Sequence, residues 1–348
     1  MTTAATLFSG GGGADIGFSR AGLDVRWGIE KDEAIARVAR ENGLPVQVGD
    51  VTEADPGSFE AVDVLHASPP CPNFSVAKTD GEETDEDVSL ARGTVRFVRA
   101  VEPTLFTLEN VWGYRKSESW RLIREALQNE GYRWNAWKLC AADYGVPQTR
   151  RRMVVAARKG GPRLTRPPAS HAEEPTRGGF FGESLSAWVG WHEAIADLIP
   201  GLPETELADW QKDRLPDELL ETTIVDTQPN ARGQCRRGSE PTKTVAADPS
   251  GGVPRAVLVP GGNASSFVTR EQDEPSRTVG SAQRSCNRSR ALLSRRVVQM
   301  TPRCLARFQS FPDWYELPES KSLACRLIGN AVPPLAMRKW ACHWTKHP

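Results

Sequence analysis

One thiol is held unusually stiffly. In SPPCPNFS (Ser68–Ser75), Cys71 stands between two prolines at the end of an apolar run. Each proline fixes its own φ, so the backbone around the sulfur is restrained on both sides. A cysteine in a reducing compartment is ordinarily an inert core thiol; it becomes a nucleophile where its surroundings stabilise the thiolate. Both readings stand on these residues alone. His66 lies on the strand leading to the thiol, where adjacent side chains alternate faces, so no Cys–His pair is indicated. Glu109-Asn110, closing TLFTLENV, offers a carboxyl group instead. QTRRR (148–152) adds guanidinium groups, with Arg150 and Arg152 on one face if the chain is extended. A planar guanidinium matches carboxylates, phosphates and base carbonyl edges. The plainer reading of this run is a basic surface cluster.

A second group of residues suits a small ligand. Four consecutive glycines, Gly10, Gly11, Gly12 and Gly13, follow a short apolar strand and open a helix, where backbone can approach a ligand closely. The dinucleotide fingerprint G-x-G-x-x-G fits in no register, because neither Asp15 nor Ile16 is glycine, which disfavours a nicotinamide cofactor. Glu30 falls about twenty residues beyond the loop at the next strand end, the place of a ribose-binding acid. Asp50 ends a third strand and could accept from an amino group. Taken alone, each acid is more often a helix cap or a solvated turn residue, and it is the set with the glycine loop that carries weight.

These residues need elements to hold them. TAATLF, DVRWGIE, VQVGDVTE, AVDVLHASPPC and TLFTLENV read as strands, and KDEAIARVARENG and LARGTVRFVRAVEP as helices between them. Such alternation predicts an α/β fold with a parallel, doubly wound sheet, whose ligands bind beyond the carboxyl ends of the strands. Gly10, Glu30, Asp50, Cys71 and Glu109 all fall at those ends and should share one cleft. WNAWKLCAADYGVPQTRRRMVVAAR reads as a hairpin, and near Lys159 the composition turns Pro/Gly-rich, which marks a domain boundary. Beyond it EPTKTVAAD (Glu240–Asp248) is echoed by EPSRTVGSA (Glu274–Ala282), each followed by RAVLV or RALLS, predicting two similar β units. Thr301-Pro302 reads as a helix N-cap and first turn, and Gly329-Asn330 as a break before a last helix.

Composition limits the class. The chain has 348 residues, a net charge of zero and seven scattered cysteines without a CxxC pair, so neither a zinc site nor a disulfide framework is indicated. No apolar run approaches the ~20 residues of a membrane helix, and no signal segment is seen, which predicts a cytoplasmic protein. The neutral total hides an asymmetry. Residues 1–100 carry nine Lys/Arg against seventeen Asp/Glu, whereas 275–312 carry eight arginines and no acid. That late basic stretch is either a solvated loop or a nucleic-acid surface. Trp188, Trp191 and Trp210 read as core rather than stacking platforms.

Taken in order, LFSGGGG, Glu30, Asp50, PPCPNFS, LENV, QTRRR, TPRCLARFQSFP and RLIGNAVPP resemble the DNA cytosine-5 methyltransferase family over residues 1–159 and 299–348. The resemblance implies a Rossmann-like, S-adenosylmethionine-dependent methyltransferase sheet with a smaller β-rich target-recognition domain. It places the catalytic domain at 1–159 plus 326–348 and the recognition domain and hinge at 160–325. S-adenosyl-L-methionine would be the donor and a cytosine flipped out of double-stranded DNA the acceptor. Phe8, Ser9 and the Gly10–Gly13 loop would hold the donor, with Phe8 against adenine, Glu30 on the ribose, Asp50 on the adenine amino group, and Pro70 and Asn330 closing the pocket. Cys71 would be the nucleophile, Glu109 would hold the cytosine edge, and Arg150 and Arg152 would hold the base and brace Glu109. Ser75 would fold over the flipped nucleotide, and Arg277, Arg284, Arg288, Arg290, Arg295 and Arg296 are candidates for phosphate and base contacts.

The sequence departs from that pattern at Thr6, where the family often has an acid or Ser; at Lys31, where an apolar residue often covers adenine; and at Pro72, where Gln is common. The acidic run DGEETDED (Asp80–Asp87) is expected to be solvated and turned from DNA. A cytosine-5 tRNA methyltransferase and a catalytically silent DNA-binding relative are the alternatives. A cognate restriction endonuclease is a candidate second partner, and a monomer away from membranes is expected.

Overall fold

The computed structural model describes residues 1–70, 83–175, 184–214, 236–237, 240–241, 256–259, 269–279, 290–293 and 296–346. Cys71, Ser75, Arg284, Arg288 and Arg295 lie outside the described residues, as does most of the first copy of the internal repeat.

Seven strands form the main sheet: β1 (Thr3–Leu7), β2 (Asp24–Glu30), β3 (Val46–Val48), β4 (Val64–Ala67), β5 (Leu105–Asn110), β6 (Tyr132–Cys140) and β8 (Arg151–Lys159), in the order β3-β2-β1-β4-β5-β8-β6, with the short β7 (Gln148–Thr149) outside it. β1 to β5 pair in parallel, and β8 runs antiparallel between β5 and β6. This is the doubly wound α/β sheet expected, with the anticipated hairpin at its far edge. Strand order reverses between β1 and β4, and ligands of such sheets bind in the crevice beyond that reversal.

Both faces of the sheet are covered, so β4 and β5 are buried along their whole length and carry mostly apolar side chains, with Thr6, His66 and Thr107 as buried polar exceptions within the central strands. Neighbouring residues still part by period two. Ala5, Leu65, Phe106 and Val155 enter one core, and Ala4, Val64, Leu105 and Val154 the other. Besides α2 (Glu33–Glu41), which follows β2, helices α3 (Asp85–Val101) and α4 (Glu118–Asn129) cover the first face, while α1 (Gly13–Arg20) and the terminal helix Pro334–Lys346 cover the second.

The acidic run has a structural use where it is described. Thr84 caps α3 in a reciprocal pair with Asp87, Asp85 and Glu86 sit in the helix's positive first turn, and the Glu83 carboxylate accepts from Glu118 and Ser119 N–H at the start of α4.

A four-stranded antiparallel sheet lies in the second region. The two echoed segments pair within it, Val257–Val259 against Arg290–Leu293, flanked by Arg270–Glu271 and Arg296–Gln299. Trp191 is fully buried, as expected, whereas Trp188 is half-buried with its indole N–H donating to Asp143 at 3.2 Å. No side-chain description covers Trp210. Thr301 is the N-cap of the helix Pro302–Phe308, as read from sequence. The break expected at Gly329-Asn330 instead falls one residue later, because the helix Lys321–Asn330 runs through both residues and ends at Ala331 before the two prolines.

One core joins the two regions. Ile16, Ile35 and Val38 of the main sheet's helices pack in one cluster with Trp191, Leu258, Leu305, Phe308 and Leu327. Among the described residues no helix is long and apolar enough to cross a membrane. Tyr315, fully buried, donates its hydroxyl to the Gly11 carbonyl at 2.8 Å and so ties the returning chain to the glycine loop. Replacing Tyr315→Phe should lower unfolding free energy by about 1 kcal/mol, read as a shifted urea midpoint; an unchanged midpoint would mean that the bond contributes nothing.

Candidate functional site

The loop after β1 turns sharply. Phe8 takes φ 60°, a costly conformation for a bulky residue, and its carbonyl accepts from the Ser68 hydroxyl at 3.2 Å. Ser68 follows β4, so this contact clamps the two strand ends that flank the crevice. The Gly10 N–H donates to Glu30 Oε2 at 2.9 Å, and Asp32 N–H to Glu30 Oε1 at 2.7 Å. Burial raises the Glu30 carboxyl above its ordinary range against those two donors.

Of the four glycines, Gly10 faces open space in the direction of a side chain. At Gly13 an added Cβ would clash with the Val332 carbonyl, so this glycine lets the returning backbone pack closely against the loop. Gly11 and Gly12 are likewise closed by Leu327 and Leu44. At three of the four, therefore, a side chain would meet protein, and only glycine fits.

Ser9 is also turned inward. Its hydroxyl is 2.6 Å from Thr6 Oγ1, which donates to Asp15 Oδ1 at 2.8 Å. Thr6 and Asp15 are fully buried and Ser9 nearly so. The departure at Thr6 thus has a partner in Asp15 beneath the loop. Gly28 of β2 makes the room, since a Cβ there would come within 2.4 Å of Ser9 Oγ. Sequence patterning did not flag Gly28 or Asp15, because both owe their roles to neighbours from other elements.

Asp50, at the end of β3's connection, has both oxygens engaged: Oδ1 with Thr52 N–H and hydroxyl, Oδ2 with Lys31 Nζ at 2.8 Å. Burial works against its charge, but these partners outweigh it and hold the carboxyl below its usual range. Lys31 therefore neutralises Asp50 at the rim.

At the end of β5, Glu109 is 5% exposed. Its Oε1 lies 3.1 Å from Arg152 Nε and 3.7 Å from Arg150 Nη2, yet no hydrogen bond is aligned on that oxygen. The pairing follows from register, because β5 and β8 run antiparallel with Glu109 opposite Val154. Arg150 is 4% exposed and donates to the Gly329 carbonyl at 3.0 Å. Burial and the neighbouring Arg152 lower its pKa to about 9, with Glu109 opposing them.

Asn110 was read only as the companion of Glu109. It is buried and donates to the Pro69 carbonyl at 3.0 Å while its Oδ1 accepts from Val111 N–H. It thereby fixes the chain at Pro69-Pro70, immediately before Cys71. Asn330 ends its helix exposed, next to Gly329, which Arg150 holds.

His66 is buried, 2.9 Å from the Thr107 hydroxyl, and burial lowers its pKa to about 3. It is a neutral core group. Arg290 lies on the second region's sheet, half-buried, with Nε donating to the Glu206 carbonyl at 3.4 Å. Arg277 and Arg296 lie on the strands Ser276–Arg277 and Arg296–Gln299.

Phe8, Gly10, Glu30, Asp50, Pro69-Pro70 and Glu109 thus all lie at or just beyond the ends of neighbouring strands of the main sheet, with Phe8 packed against its core. A profile of the C-5 cytosine-specific DNA methylase family matches residues 2–343, so the chain belongs to that family. It is a methyltransferase that uses S-adenosylmethionine and acts on cytosine C5 in DNA. Similar proteins include the type II methyltransferases M1.HphI of Haemophilus parahaemolyticus, 28% identical over 94% of this chain and 82% of its own, and M.AquIA of a Picosynechococcus species, 31% identical over 58% of this chain and 91% of its own. A DNA modification methyltransferase encoded within an E. coli prophage shares the fold at TM-score 0.63 and 22% identity over 99% of both chains. S. pombe Dnmt2 methyltransferase does so at 0.56 and 15% over 98% of both.

Two buried groups set opposing pH dependences. Burial raises Asp15 to about 6 against the Thr6 hydroxyl's bond, so between about pH 4 and 6 the folded chain holds a proton that the unfolded chain has lost, and Asp15's contribution to stability falls as pH rises. His66 stays neutral in the folded chain down to about 3, so across the same window its contribution rises with pH. Relative to the unaltered protein, Asp15→Asn should add a rising slope of about 1.4 kcal/mol per pH unit and His66→Gln a falling one. Denaturant midpoints at pH 4, 5 and 6 would show this; profiles parallel to the unaltered protein would refute it.

Proposed function

We propose that the chain methylates a specific sequence in duplex DNA through a transient bond between Cys71 Sγ and cytosine C6. The observation that carries this reading is Glu109: a buried carboxylate at the end of β5 whose Oε1 is paired with Arg152 at 3.1 Å and Arg150 at 3.7 Å. A carboxyl group so placed suits the N3 and amino edge of a cytosine turned out of the helix.

Cytosine C5 is a poor nucleophile. Addition of the Cys71 thiolate to C6 makes C4–C5 an enamine, and Glu109 absorbs the charge developing on the ring by protonating or hydrogen-bonding N3. Arg152 and Arg150 keep Glu109 oriented. The donor, when bound, supplies an electrophilic methyl on a sulfonium. Loss of the C5 proton and expulsion of Cys71 then restore the ring. The prolines around Cys71, with Asn110 holding the Pro69 carbonyl, restrict the sulfur's approach, because small errors in attack geometry cost large factors in rate.

For the donor we assign Glu30 to the ribose hydroxyls, Asp50 to the adenine amino group, Phe8 to the adenine face and Asn330 with Pro70 to the pocket's edge. The residues fit: Gly10 leaves open space beside the Glu30 carboxylate that its N–H binds, and Asp50 follows the neighbouring strand. Ser9 would serve from beneath through its bond to Thr6. Residues 1–159 with 326–348 would carry the chemistry, and 160–325, with its arginines, the reading of sequence. The helix Lys321–Asn330 spans the junction. A cytoplasmic monomer working beside a cognate restriction endonuclease completes the proposal.

DNA containing 5-fluorocytosine should form a covalent adduct when the donor is present, and Cys71→Ser should abolish it; an adduct that persists would identify another nucleophile. Glu109→Gln should lower kcat by about 10²–10⁴-fold while retaining binding of the demethylated donor. Methyl incorporation into tRNA but not duplex DNA would overturn the choice of acceptor.

A further inference from the structure

Gln148 and Gln309 are both completely buried and belong to no step above. Gln148 Oε1 accepts from the Val279 N–H at 3.0 Å, and its Nε2 donates to the Phe308 carbonyl at 3.2 Å and to Gln309 Oε1. Gln309 Nε2 in turn donates to the Ala331 carbonyl. Each amide uses its oxygen on one neighbour and its nitrogen on the next, so turning either over would set carbonyl against carbonyl. The relay has one satisfied orientation, and it runs from the second region to the segment beside Asn330.

Gln148 also begins a tight turn. The Arg150 N–H donates to the Gln148 carbonyl at 2.9 Å, closing a three-residue loop that aims Arg150 at Glu109 and at Gly329. The strand Ser276–Arg277 lies parallel to Gln148–Thr149, and Ser276 donates to the Pro147 carbonyl through both N–H, at 3.0 Å, and hydroxyl, at 2.9 Å. The second region is therefore stitched directly onto the turn that presents Arg150.

We propose that Gln148, acting with Gln309, is a positioning residue that fixes Arg150, and through it Glu109, relative to the region that reads DNA. The inference rests on the role given to Glu109 above. A mere structural strut would affect how many molecules fold; a positioning residue affects what each folded molecule does.

The test uses the full chain with Gln148→Met and Gln309→Met, which keep length and remove donor and acceptor, and the double variant. Sites are counted by calorimetric titration with S-adenosylhomocysteine, and kcat and KM for unmethylated plasmid DNA are then measured per counted site. Each single variant should keep S-adenosylhomocysteine affinity and KM within about threefold and lose at least about tenfold in kcat, since a displacement of about 1 Å costs on that order or more. The double variant should be little worse than the poorer single one, as for members of one relay. Unchanged kcat per counted site, or losses that multiply, would overturn the proposal. Should the Met variants yield no countable sites, Gln148→Glu, which keeps the acceptor for Val279 and loses the donor, decides by the same criterion. If the unaltered chain itself transfers no methyl to DNA, the function proposed above fails and takes this inference with it, an outcome visible before any variant is compared.

Discussion

A carboxylate taken out of water at the end of a sheet has to be compensated, and much of this molecule is arranged around that need. Glu109 is buried because β5 is central, covered on both faces. Desolvating its charge costs several kcal/mol unless opposite charge and donors are brought to it. The compensation comes from β8, whose antiparallel course returns Arg150 and Arg152 to the end of β5. Arg150 is itself buried, so it requires a partner of its own, and the Gly329 carbonyl supplies one from about 180 residues further along the chain. The C-terminal segment consequently has to come back to the sheet.

That return also shapes the glycine loop. The helix Lys321–Asn330 brings Leu327 against Gly11, Val332 closes on Gly13, and Tyr315 bonds the Gly11 carbonyl. The glycine loop is thus clasped from behind by the same segment that satisfies Arg150. Beneath it the Thr6–Ser9–Asp15 contacts replace solvent for three buried polar groups. On its remaining side the Gly10 N–H donates to Glu30, and a side chain at Gly10 would meet open space. The loop's shape is set by protein on three sides, and its remaining open side is where a ligand can approach.

The two halves of the site meet at the strand ends of β4 and β5. Asn110 reaches across to the Pro69 carbonyl, and Ser68 to the Phe8 carbonyl. These short polar links tie the backbone before Cys71 to the loop after β1 on one side and to the Glu109 strand end on the other. A buried, satisfied polar network is stiff, which suits chemistry in which two reactants must be aligned at once.

Much of this was legible in the sequence. Strand and helix alternation gave the parallel sheet, because apolar period and turn residues are local signals, and the strand-end position of Glu30, Asp50 and Glu109 followed from it. The order of the short motifs sufficed for the family. Tertiary structure alone decided the rest. That Gly13 admits Val332, that Gly28 makes room for Ser9, that Thr6 finds Asp15, and that Gln148 joins Val279 to Gln309 are contacts between residues far apart in sequence, and no local pattern encodes them. Sequence determined which residue types stand at each strand end; only the packing of the returning chain against the sheet decided which of those side chains face the crevice and which hold it in place, because burial and hydrogen-bond satisfaction are properties of assembled surfaces rather than of spacing.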